Sequence, residues 1–113
     1  EACVALPRPH ASQRHGWIAV DAADTDALKA KAAALASAHP VQILVHNSGG
    51  PPGGPLVDAP VDALLAVFRQ HLLAGHVLVQ ALLPGMVAAG YGRIGNVIST
   101  SVKEPIPRRT ASP

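Results

Sequence analysis

Three groups of residues in this 113-residue chain pair polar chemistry with the ends of apolar runs. Asp21 follows Trp17-Ile18-Ala19-Val20, and Asn47-Ser48-Gly49 follows the run from Val41 to His46. Ser99-Thr100-Ser101 follows the run from Arg93 to Ile98. Asp21 is suited either to accept a hydrogen bond from an amino group or to serve as an ordinary loop acid. Asn47 and Gly49 either let a nucleotide approach the backbone closely or simply form a turn. A hydroxyl at Ser99 either polarises a carbonyl or caps a strand end. The three gain weight together, because open parallel sheets bind ligands at the carboxyl ends of their strands.

Other reactive residues are less pointed. None of the six histidines pairs at i, i+4, and His71 and His76, five apart, lie about 140° from each other around an α-helix. No metal site is expected from them. The single cysteine, Cys3, excludes a disulfide framework and a multi-thiolate metal site. The glycine run from Gly49 to Gly54 lacks the Lys-Ser/Thr pair of a phosphate-gripping loop.

The elements that must carry these residues read as an alternation. Residues 17–20 and 41–46 are compact apolar runs expected as buried strands, and 93–98 is a third. Asp24-Thr25-Asp26 supplies helix-capping chemistry for a helix over 25–38, which His39-Pro40 stops. A long helix is expected over 61–89, bent where Pro84 removes a backbone donor, with Gly90-Tyr91-Gly92 as the turn out. Strand, helix, strand, helix, strand is the signature of an open parallel sheet.

Composition agrees with that class. Hydrophobic residues make up 49% and charged residues 14%, so the chain is not disordered and charge-solvated. Aromatics, at 3%, are too few for a typical β-sandwich, whereas Ala, Val and Leu suit helices packed on a parallel sheet. The net charge of +2 is scattered, and Arg108-Arg109 is the only adjacent basic pair, so no nucleic-acid partner is expected. Gln70 to Gly92 carries no formal charge and is long enough to span a bilayer. His71, His76, Gln80 and Pro84 interrupt it, so a buried or interfacial helix is the better reading and no membrane partner is expected. The opening residues do not read as a signal peptide, and a cytoplasmic location is expected.

Four ordered stretches resemble the short-chain dehydrogenase/reductase family. They are Val20-Asp21-Ala22-Ala23-Asp24, Ile43-Leu44-Val45-His46-Asn47-Ser48-Gly49, Gln80-Ala81-Leu82-Leu83-Pro84-Gly85-Met86, and Gly92 to Ser99. The resemblance runs from about Trp17 to the C-terminus. It implies an α/β fold, a Rossmann-type doubly wound parallel sheet in three αβα layers, here incomplete. It also implies an NADP or NAD cofactor and hydride transfer to or from a small-molecule carbonyl or alcohol substrate, of which 3-oxoacyl-type reduction is one form.

By position, the resemblance makes Asp21, Ala22, Asn47, Ser48 and Gly49 cofactor-binding residues. His46 replaces the first Asn of the family's Asn-Asn-Ala-Gly. Ser99 aligns with the catalytic serine, and His71 stands where the family usually has a catalytic Asn. A homo-oligomer through the 61–89 helix is expected. The alternative reading is a catalytically silent relative that binds a nucleotide or a partner through that helix.

Two family features are missing from these residues. The glycine-rich Thr-Gly-x-x-x-Gly-x-Gly loop that holds the pyrophosphate is absent. The tyrosine of the Tyr-x-x-x-Lys pair would fall on Ser112, and its lysine beyond Pro113. The segment Ser101 to Pro107 resembles a branch of the family that lacks this tyrosine. In the family's strand order the first strand lies between the 17–20 and 41–46 strands, and no segment here supplies it. The 113 residues are therefore read as a single partial Rossmann-type domain, expected to belong to a longer chain.

Overall fold

The computed structural model describes residues 6, 7, 9–50 and 53–99. The segment 101–107 and Ser112 lie outside the described residues. The first helix, α1 (Thr25–Ala38), starts where the Asp24 carboxylate accepts a hydrogen bond from the Ala27 amide at 3.0 Å. Asp26 in its first turn suits the positive end of the helix dipole. The helix ends at His39, in extended backbone, because Pro40 disfavours helical geometry in the residue before it. Leu28 and Ala32, four apart on one face, are buried.

Strand β1 (Ile43–His46) pairs in parallel with β2 (Arg93–Asn96), placing Leu44 opposite Ile94 and His46 opposite Asn96. The ladder reaches one bond past each end: Arg93 N–H donates to the Gln42 carbonyl and Val97 N–H to that of His46. Both strands are thus shorter than the apolar runs that announce them. Between them runs a long helical segment made of α2 (Val61–Phe68), a π-helical turn (Arg69–Leu73) and α3 (Ala74–Ala88).

Pro84 is accommodated inside α3, and the departure from α-helical hydrogen bonding lies upstream at residues 69–73. There the Ala74 amide bonds the Arg69 carbonyl, five residues back, which inserts an extra residue into the turn. Gly90, at φ 65°, turns the chain out of α3 in a left-handed conformation that a side chain would strain.

The core is Leu44 from β1 with Leu82 and Met86 from α3, ringed by partly buried Ala36, Val41, Leu78, Val79 and Ala81. Helices α1 and α3 pack together against the face of the sheet that carries Leu44. Side chains alternate along a strand, so Ile43 and Val45 project from the other face, where they are 61% and 63% exposed. The described residues therefore show a helical layer and a sheet with one face uncovered.

One expected strand is corrected. Residues 17–20 form no regular element and join no ladder, and Trp17 is 73% exposed. A strand exists by bonding a neighbour about 4.8 Å away. Among the described residues the sheet has two strands, neither of them beside 17–20. The apolar pattern pointed to burial, but all four residues are exposed, and among the described residues no strand pairs with them.

The segment Val61–Ala88 is long and apolar enough to cross a membrane by length and composition. In this fold Ala74, Leu82 and Met86 of that segment are buried by protein.

Candidate functional site

A cavity of about 480 Å³ opens at the carboxyl ends of β1 and β2, against the helical segment around residues 71–79. Its polar lining is His46, Ser48, His71, His76 and Asn96. Leu72, Val79, Val97 and Ile98 supply apolar wall. Each strand delivers its part for the same reason: where the ladder ends, the next residues are released from pairing and turn toward the edge.

The central contact joins Ser48 Oγ and His71 Nδ1 at 2.6 Å. Ser48 stands in the loop after β1 and His71 in the π turn, so the bond ties the sheet edge to the helix. His71 Nε2 is buried and has no hydrogen-bond partner among the described residues. His46 lies across Gly75, where a Cβ would come within 3.0 Å of its Nδ1. Glycine at that position lets the imidazole rest against the helix backbone.

Burial holds the His71 pKa below its ordinary 6.5, and the nearby His46 lowers it further by like-charge repulsion. His71 is therefore neutral at pH 7. The sign for stability follows from the lowered value: the unfolded chain takes up a proton at His71 before the folded chain does. The folded state is expected to lose stability as pH falls from 6.5 toward the folded pKa, and to be unaffected by this group above 6.5. A histidine NMR titration checks this, with the His71 midpoint expected below that of the unfolded chain; a midpoint at or above 6.5 would contradict it.

Of the residues singled out in the sequence, the structure brings Ser48 and His71 together. Asn47 and Gly49 are exposed in the same loop and outside the cavity lining. A Cβ at Gly49 or Gly50 would meet nothing within 4 Å, so there is open space beside this backbone. Asp21 and Ala22 lie in the turn before α1, where an Asp21 oxygen accepts from the Ala23 amide at 2.8 Å. Ser99 is partly buried three residues beyond β2.

His46, His76 and Asn96 were not anticipated as one lining. The 140° separation expected of His71 and His76 assumes a regular α-helix. The π turn breaks that assumption, and both rings line the same cavity. Among the described residues no group of three or more His, Cys, Asp or Glu is placed to hold a metal ion.

Comparison with known proteins gives one family. The short chain dehydrogenase pattern matches residues 2–111. The ketoacyl reductase HetN of Nostoc sp. is 31% identical over 67 residues, which are 59% of this chain and 23% of HetN. Among solved structures, a metagenomic short-chain oxidoreductase in complex with NADP superposes with a TM-score of 0.73 at 34% identity, over 82% of this chain and 42% of that one. The 3-oxoacyl (acyl-carrier-protein) reductase of Agrobacterium tumefaciens C58, with NADP bound, gives 0.74 at 25% identity, over 82% of this chain and 36% of that one. The chain thus spans less than half the length of each of these relatives.

Proposed function

The chain belongs to the short chain dehydrogenase family, and on that premise we propose that it supplies part of the active-site edge of an NAD(P)-dependent oxidoreductase. The substrate is a small carbonyl or alcohol, and the ketoacyl and 3-oxoacyl reductases among its relatives favour a 3-oxoacyl-type compound. The observation that carries the reading is the Ser48–His71 contact in a partly apolar cavity at the carboxyl ends of parallel strands.

Asp21, Ala22, Asn47, Ser48 and Gly49 would hold the adenosine half of the cofactor. The open space beside Gly49 and Gly50 fits a close approach of a ribose to the backbone. When bound, the nicotinamide supplies or accepts the hydride. The residues of this chain handle oxygen and protons. Ser99 is assigned to hold the substrate oxygen, and neutral His71 lies in the cavity lining as a second hydrogen-bonding group.

An alkoxide formed by hydride delivery must gain a proton. A phenol of pKa about 10, lowered by a neighbouring ammonium, can donate it near neutral pH. Ser112 stands at the position the family gives to that phenol, and an aliphatic hydroxyl is a far weaker acid. Carbonyl reduction is accordingly expected to be slow.

The test is NADPH oxidation by the whole protein against a panel of 3-oxoacyl thioesters, ketoses and small ketones. Turnover of at least one is expected. Saturable NADPH binding without any turnover would replace this reading with that of a silent nucleotide-binding relative. The 113 residues alone are expected to bind NADPH weakly, because they lack a glycine loop for the pyrophosphate.

We also propose self-association through the helical segment 61–88, supported by the exposure of Val61, Leu65, Phe68, Leu72, Leu83 and Val87 along it. A monomeric mass for the whole protein in solution would dismiss this.

A further inference from the structure

Ser48 carries more chemistry than a loop residue beside a cofactor requires. Its Oγ lies 2.6 Å from His71 Nδ1, across the junction between β1 and the π turn. Either atom can donate across it, the imidazole as Nδ1–H or the serine as O–H, according to the tautomer of the ring. With the serine hydroxyl donating to Nδ1, the proton of a neutral imidazole sits on Nε2. Nε2 is buried without a partner among the described residues, and a buried N–H rarely stays unpaired.

We infer that Ser48 is the positioning residue of His71: its hydroxyl donates to Nδ1 and so holds the ring that lines the cavity in its Nε2–H tautomer. A neutral imidazole held in one tautomer can polarise a carbonyl without giving up its proton. The ligand class, a small carbonyl or alcohol, rests on the oxidoreductase reading above.

The titratable groups in the cavity lining beside His71 are His46 from β1 and His76 from α3. Asn96, Val97 and Ile98, following the β2 ladder, do not titrate, and α1 adds nothing to the lining. Ser48 is thus the group that can choose the His71 tautomer by a direct bond.

The experiment uses the whole protein labelled with ¹⁵N-histidine, at a pH where His71 is neutral. The wild type is expected to show His71 protonated at Nε2 and bare at Nδ1. Ser48→Ala is expected to give a mixture of tautomers, and Ser48→Thr, which keeps the hydroxyl, a single one. In turnover assays Ser48→Ala is expected to lower kcat about threefold to tenfold, beyond any change in the KM for NADPH, and Ser48→Thr to restore it. Protonation at Nδ1 in the wild type, or an unchanged tautomer in Ser48→Ala, would overturn the proposal. A defect confined to the KM for NADPH would also overturn it and leave Ser48 with its cofactor role alone. If the wild type reduces no carbonyl, the oxidoreductase reading fails while the tautomer measurement still decides the role of Ser48.

Discussion

Ser99→Ala is expected to slow single-turnover oxidation of NADPH by a carbonyl substrate by about 10²- to 10³-fold in the whole protein at saturating cofactor. That magnitude is typical of removing one preorganised donor to a developing oxyanion. Ser99 stands three residues past the end of β2, on the edge that also carries the cavity. The family pattern assigns no other hydroxyl of this chain to the substrate oxygen. Ser112→Tyr provides a complementary arm: it is expected to raise the rate where a lysine lies four residues beyond it, because a phenol replaces an aliphatic hydroxyl as proton donor. Equal single-turnover rates in wild type and Ser99→Ala would identify Ser99 as a strand-end serine.

The second large effect is on stability. Leu82→Ala is expected to lower the unfolding free energy of the whole protein by about 2–5 kcal/mol, the range for deleting a buried leucine side chain. Leu82 is 4% exposed and packs with Leu44 and Met86, joining α3 to the sheet. In a core this small, few neighbours can relax into the space left behind. Val57→Ala is the control: Val57 is 92% exposed, and its loss should change stability by no more than about 0.5 kcal/mol. Denaturant unfolding monitored by circular dichroism compares the two. A Leu82→Ala midpoint equal to that of Val57→Ala would show that the α3–sheet contact is not what holds the fold.

Ser99 acts on the rate and Leu82 on the folded population. A loss of activity in Leu82→Ala is expected to follow the fraction unfolded, and to recover at lower temperature or denaturant. The loss in Ser99→Ala is expected to persist wherever the protein is folded.

Much of the fold was legible in the residues because its causes are local. Helix α1 runs over the expected span because Asp24 caps it and Pro40 ends it within a few residues of chain. The apolar runs around 43–46 and 93–96 gave two parallel strands, and the turn chemistry of Gly90 marked the exit from α3. The order of elements was enough to place Asn47-Ser48-Gly49 and Ser99 at the carboxyl edge.

What the residues alone could not decide depends on partners distant in sequence. Residues 17–20 have the composition of a strand, but pairing needs a neighbour, and the described sheet sets none beside them. The π turn at 69–73 has no marker in Arg69-Gln70-His71-Leu72-Leu73, yet it alters which side chains share a face and helps bring His71 and His76 to one cavity. Ser48 and His71 are 23 positions apart, and their hydrogen bond exists because Leu44 and Leu82 pack β1 onto α3. Local propensity determined the elements and the edge where chemistry belongs. The pairing of Ser48 with His71, and the lowered pKa of that ring, were decided by tertiary packing, since both depend on which groups burial brings together and removes from water.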